Sequence, residues 1–274
     1  MWFLILGCAK QGAIGVPTPA STPSLVYRVE RDGKVSHVFG TCHLPLPLED
    51  RVDPALITGA REVWIEAELD GVDPLEVMGM LLRTDGTTLS DELDRDVFTA
   101  LARRAGAAFP ATMLDRVKPW AAAVTLGLED LRPSGTSAND APLDLTVTGL
   151  ARDAGVPVRA VETLEDQLAL FDEDTTDLAS IIRPSAAEQK TNQEAGQAML
   201  DLCERNDLTQ VPRSLYAVDE RFLSTRNHLW IPQLLPSLAE GGAFVSVGAL
   251  HLPGKDGLLN LLATEGYTIS NVPR

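Results

Sequence analysis

One phrase occurs twice in this chain. Gly40-Thr41-Cys42-His43-Leu44-Pro45 returns near the other end as Gly248-Ala249-Leu250-His251-Leu252-Pro253. Each copy follows a short apolar run, Val38-Phe39 before the first and Phe244-Val245-Ser246-Val247 before the second. The chain has only four histidines, and His43 and His251 occupy the same place in the repeated phrase. A glycine directly after a strand permits a tight turn and close backbone approach. The pattern therefore predicts two strands that end at one shared site, each delivering one imidazole.

The segments between the two copies read as alternating strands and helices. Residues 25–30 and 35–39 are expected as strands joined by Arg31-Asp32-Gly33-Lys34, where Asp-Gly is a hairpin signal. A short helix is expected over 54–59 and a short buried strand over 62–66, ending in Glu66. Residues 73–131 read as helical: Leu93, Val97, Phe98 and Leu101 recur at helix spacing, and Pro119 suits a helix start. Residues 132–141 are small and polar and read as a loop, followed by a helix over 142–154. Residues 158–161 form another short strand before Glu162. Residues 164–238 read as largely helical, broken near Pro184, Pro212, Pro232 and Pro236. A strand over 243–247, a helix over 257–264 and a strand over 267–272 complete the chain.

Strands separated by helices predict an α/β protein with a central sheet, mostly parallel or mixed, flanked by helices and by a long helical middle region. His43, Glu66, Glu162 and His251 each end a strand-like segment. In open α/β sheets, ligands bind at the carboxyl ends of the strands.

A hydrophobic fraction of 45% allows a sizeable core, and aromatics at 5% make it mainly aliphatic. The net charge of −16, with an isoelectric point near 4.6, argues against nucleic acid as a partner. It argues equally against docking of the folded body on an anionic membrane. The three cysteines, Cys8, Cys42 and Cys203, suggest no disulfide framework and no C-x-x-C metal site. No internal stretch approaches the roughly 18 apolar residues of a membrane-spanning helix.

Residues 1–7 are almost purely apolar, and Ile5-Leu6-Gly7-Cys8 looks like a bacterial lipobox. Residues 11–24, rich in Gly, Pro, Ser and Thr, then read as a flexible tether. The basic n-region is absent, and the apolar part is shorter than the roughly 7–15 residues of a signal; a start further upstream would supply both. A lipoprotein of the cell envelope, tethered to the membrane through Cys8, is the expectation. A hydrophobic N-terminus on a cytoplasmic protein is the alternative. Residues 25–274 are expected to form one domain.

Two histidines and one carboxylate at converging strand ends make the pattern that holds a divalent ion with open positions. Such an ion lowers the pKa of bound water and polarises a carbonyl. Glu66 is the carboxylate candidate because it ends an apolar strand; Glu68 and Asp70 lie close behind as outer-sphere or merely solvated acids. Cys42, next to His43 on extended backbone, points the other way and reads as a small buried hydrophobe. His37 reads as structural and His228 as a surface or core residue. Arg226, in a helical pattern with Asn227, could face an acidic crevice and steady an oxyanion or a substrate carboxylate.

At these residues the chain resembles the TraB/GumN family, which includes the Tiki-type metalloproteases. The resemblance runs from about Leu25 to Val272. It rests on Gly40-Thr41-Cys42-His43, Glu66, Lys118-Pro119-Trp120, Leu143-Asp144, Val161-Glu162-Thr163 with Gln167, Arg226-Asn227, and Val247 to Leu252 followed by Gly254 and Gly266-Tyr267. Any one of these is weak, but their order and spacing together are specific. The resemblance implies a fold similar to that of the erythromycin esterase and ChaN-like proteins. The family's two Gly-x-x-His motifs and glutamate carry over to His43, His251 and Glu66 as metal ligands and catalytic groups. Manganese or cobalt is the implied metal, with zinc an alternative. Arg226 joins them as a catalytic candidate, and Asp144, Glu162 and Asn227 as substrate-binding candidates. The family often has Gly-Val-Asp where this chain has Pro142-Leu143-Asp144, a departure that bears on Asp144.

The expected function is a divalent-metal-dependent hydrolase acting on a peptide or protein. One alternative keeps hydrolysis without the metal, using a histidine as general base oriented by Glu66. The other is an envelope protein that binds peptides without cleaving them.

Overall fold

The computed structural model describes residues 24–42, 44–68, 72–105, 110–130, 141–172, 179, 194, 197, 201–203, 205, 206, 208 and 222–273. The expected tether, lipobox cysteine and loop (1–23 and 132–140), together with Pro184, Pro212, Asp70 and His43, lie outside them. The described residues divide into two compact units.

One unit, containing residues 24–68, 141–163 and 222–273, is built on a six-stranded mixed sheet. Its strands are β1 (Val26–Arg31), β2 (Lys34–Thr41), β3 (Glu62–Ala67), β4 (Val158–Glu162), β5 (Ala243–Gly248) and β6 (Thr268–Asn271). They lie in the order β4-β3-β5-β2-β1-β6. The first four run parallel, and β1 is antiparallel to both β2 and β6. The α/β architecture is the one expected. Asp32 and Gly33 take φ of 52° and 73°, the left-handed conformation a tight Asp-Gly hairpin demands, and Arg31 pairs with Lys34 across it.

Within this unit the helices are α1 (Pro54–Thr58), α7 (Leu143–Asp153), α9 (Ser224–Glu240) and α10 (Leu258–Thr264). Central β5 is buried along its whole length because helices cover both of its faces. Even-numbered residues of β3 face α9: Ser237 bonds to both Glu62 and Trp64, and Arg226 bonds to Glu66. Helix α7 packs on α1 and on the opposite face.

Helix α9 runs unbroken through Pro232 and Pro236, contrary to the breaks expected there. His228, Pro232 and Pro236 are all exposed and share one outward stripe at four-residue spacing. The carbonyls that lose an amide partner to the prolines therefore face solvent. On the inner stripe Trp230, Ile231, Leu234 and Leu238 are buried and hold the helix to the sheet.

The second unit, containing residues 72–130 and 164–172, is helical among its described residues. It comprises α2 (Pro74–Leu81), α3 (Leu89–Glu92), α4 (Arg95–Ala105), α5 (Ala111–Leu114), α6 (Pro119–Asp130) and α8 (Leu164–Asp172). Val97, Ala100, Leu101 and Ala105 form the buried stripe of α4, while Leu93 falls in the turn before it and packs on the same core. Pro119 opens α6 as its fixed φ predicts. Trp120 of α6 stacks on Phe171 of α8 with ring centroids 5.0 Å apart. No helix of the described residues is long and apolar enough to cross a membrane.

One expectation about cysteine is overturned. Cys42 is not a free buried hydrophobe but is joined to Cys203 in a disulfide, with Cα atoms 6.0 Å apart. Arg51 donates to the carbonyl of Cys203 at 2.5 Å and to Asn206 at 3.2 Å, and Asn206 donates to the Asp50 carbonyl. The bridge and this buried arginine together pin helical residues 201–203 to the chain that follows β2.

Candidate active site

The two copies of the repeated phrase meet directly. Strands β2 and β5 are parallel neighbours, with Gly40 opposite Val247 and Thr41 opposite Gly248. Residues 249–251 form a single 3-10 turn that folds back over Gly40. A Cβ on Gly40 would lie 2.8 Å from Leu252 Cδ1 and 3.0 Å from Ala249 Cα. The glycine of the first copy is thus required by the backbone of the second.

At the carboxyl ends of β3, β4 and β5 lies a buried polar cluster. Glu66 comes from β3, Glu162 from β4 and His251 from the turn after β5; Arg226 and Asn227 come from the first turns of α9. The Arg226 guanidinium donates to Glu66 Oε2 at 2.6 Å and to Glu162 at 2.5 and 3.1 Å. It also donates to the Phe222 carbonyl at 3.0 Å and lies 3.2 Å from His251 Nε2. Glu66 Oε1 accepts the Gly248 amide at 2.6 Å and lies 3.8 Å from His251 Nε2.

Asn227, 1% exposed, contacts His251 Nδ1 through Oδ1 at 2.7 Å. The Trp230 ring lies 4.4 Å from that of His251 and 4.6 Å from the Arg226 guanidinium, and its indole N–H donates to Glu162 at 3.0 Å.

Burial works against the Arg226 charge, but the Glu66 and Glu162 carboxylates more than offset it and hold its pKa above the ordinary arginine value. Two carboxylates share this one guanidinium, so its donors are already engaged by protein groups.

The structure therefore brings together Glu66, Glu162, Arg226, Asn227 and His251. Asp144 stands apart: in the first turn of α7 it accepts a hydrogen bond from the Thr41 hydroxyl. Glu68 is ion-paired with Arg152 on the exposed side. His37 sits in β2 with its pKa lowered by burial and by the charge of Arg28, its cross-strand partner. His228 is exposed and 3.2 Å from Asp256.

Trp230 escaped the sequence reading, although its position four residues after Arg226 in a predicted helix puts both side chains on one face. The pairing of Glu162 with Arg226 was not legible either; the shared strand-end position of Glu66 and Glu162 was its only trace.

Among the described residues no three metal-ligating side chains form a group; His43, the third expected ligand, is not one of these residues. The two donors that are described can be tested for fit. Ligand bonds of about 2.0–2.2 Å place two donors of one ion at most roughly 4 Å apart, and His251 Nε2 and Glu66 Oε1 lie 3.8 Å apart. Their types, imidazole and carboxylate, suit a divalent transition metal.

Fold and site define an α/β protein with a buried ionic cluster at the carboxyl ends of parallel strands. Residues 25–271 match the model of the TraB/PrgY/gumN family, and the chain belongs to that family. It matches no curated protein and no solved structure.

Proposed function

We propose that this chain is a divalent-metal-dependent hydrolase of peptide bonds. The observation that carries the reading is the approach of His251 Nε2 to Glu66 Oε1, 3.8 Å, at paired strand ends where the two repeated phrases meet. His251 and Glu66, with His43, would hold manganese or cobalt, or alternatively zinc. Such an ion supplies a nucleophilic water and polarises the substrate carbonyl.

The chain's own groups set the stage for that chemistry. The Gly248 amide and Arg226 hold the two Glu66 oxygens, so the carboxylate keeps one orientation. Arg226 acts as a fixed positive charge between Glu66 and Glu162, and contributes to anion stabilisation through its field rather than through a free donor. Glu162, Asn227 and Asp144 remain the candidates for contact with substrate. The Cys42–Cys203 disulfide supports a place outside the reducing cytoplasm, as expected of an envelope lipoprotein anchored through Cys8.

The test is cleavage of a mixed peptide pool by the full chain with manganese, cobalt or zinc, and in excess chelator. The reading predicts metal-dependent cleavage that His251→Ala and Glu66→Gln abolish. Full cleavage in chelator supports the metal-free hydrolase instead. Tight peptide binding without cleavage, surviving both substitutions, supports a peptide-binding role.

A further inference from the structure

Asn227 is a buried amide with both ends engaged. Its Nδ2 donates to the His251 carbonyl at 3.1 Å and to the Asp256 carbonyl at 2.8 Å. Those two carbonyl oxygens can only accept, so the backbone itself dictates which end of the amide is nitrogen. The other end, Oδ1, must then be the atom that lies 2.7 Å from His251 Nδ1. Oδ1 also can only accept, which requires the proton on Nδ1.

A second group on the far side of the ring agrees. Arg226 Nη1 lies 3.2 Å from His251 Nε2, and a guanidinium has donors and no acceptor. Nε2 of the neutral ring must therefore present a lone pair. The ring has little freedom to escape this arrangement, being 3% exposed and packed 4.4 Å from Trp230.

We infer that Asn227 is a positioning residue which, with Arg226 on the far side of the ring, holds His251 as the Nδ1–H tautomer and leaves Nε2, 3.8 Å from Glu66 Oε1, as the working nitrogen. Its bond to the His251 carbonyl also anchors the 3-10 turn that carries the ring. This deepens the proposed function, since it rests on His251 being a functional group, but it holds whether Nε2 binds a metal or accepts a proton. An outer-sphere partner of this kind changes metal affinity or activity by about 10–100-fold when removed.

The test is a two-bond proton–nitrogen correlation spectrum of the histidine rings in the metal-free full chain, at a pH where they are neutral. His251→Gln identifies the signal. The inference predicts a protonated, pyrrole-type Nδ1 and a pyridine-type Nε2. It predicts that Asn227→Leu, close in volume but without the acceptor, shifts the Nδ1–H resonance and speeds its exchange with solvent, and weakens manganese binding by about 10–100-fold. A wild-type spectrum with the proton on Nε2 overturns it without recourse to any variant. So does a folded Asn227→Leu protein whose Nδ1–H resonance, proton exchange and manganese affinity all equal those of the wild type. If the wild type shows the Nδ1 proton yet binds no manganese, the metal reading fails and the tautomer assignment stands.

Discussion

Replacing Cys42 and Cys203 together by alanine removes a covalent tie between residues 161 apart in sequence. A crosslink stabilises largely by restricting the unfolded chain, and the loss grows with the logarithm of the closed loop. For a loop of this size the chain-entropy relation gives about 5 kcal/mol at 25 °C, and measured bridges usually deliver roughly 2–4 kcal/mol. Native packing should change little, because both side chains are 2% exposed or less and alanine adds no polar group.

The assay is guanidinium unfolding followed by tryptophan fluorescence, Trp64 and Trp230 reporting on the sheet unit. The double variant should unfold at lower denaturant by an amount equivalent to roughly 2–4 kcal/mol, and thiol reductant should shift the wild type but not the variant. Thiol titration of the denatured, unreduced chain should detect Cys8 at most. Detection of all three cysteines, or coincident unfolding curves, would refute the bridge. Because Cys42 precedes His43, loss of the tie should also lower activity in the native range.

Three further perturbations probe the site and its support. Gly40→Ala places a methyl 2.8 Å from Leu252 Cδ1 and 3.0 Å from Ala249 Cα. It should cost about 1–3 kcal/mol by overpacking, read as a lower thermal midpoint; an unchanged midpoint contradicts the close approach of the two phrases. Arg226→Leu strands the Glu66 and Glu162 carboxylates, whose side chains are each 10% exposed. Loss of one partner from a buried ion cluster costs about 3–5 kcal/mol, and denaturant unfolding should show it.

Glu62 is the third target. Burial alone would raise its pKa, but Ser237, Arg159, Arg61 and Trp64 together lower it. A depressed folded value means stability present above the unfolded pKa of about 4.3 and lost as pH falls through the folded value. Glu62→Gln should therefore be less stable than wild type at pH 7. The gap should close in acid, and a gap independent of pH contradicts the assignment.

Local chemistry made much of the fold legible. The hairpin was readable because Asp-Gly is one of few pairs that accept two left-handed residues, and β3 because Glu-Val-Trp-Ile-Glu is short, apolar and acid-terminated. The repeated phrase marked where β2 and β5 end side by side, and Gly40 leaves the room that the turn after β5 needs. Features fixed by tertiary contact were less accessible. Nothing near Cys42 announces a partner as distant as Cys203. Pro232 and Pro236 read as helix breaks because propensity is local, whereas their shared solvent stripe and the buried Trp230 face emerge only once α9 lies on the sheet. Asn227 looked like a substrate contact; its engagement with His251 and Asp256 depends on the turn after β5 folding beneath α9.

Whether these strand ends hold a metal is decided by calorimetric titration of the chelator-treated full chain with manganese and with cobalt. Saturable binding of a single ion per chain is expected, abolished by His251→Ala and sharply weakened by Glu66→Gln in folded protein. Absence of binding by the wild type, or binding that neither substitution alters, would contradict a metal site at these strand ends.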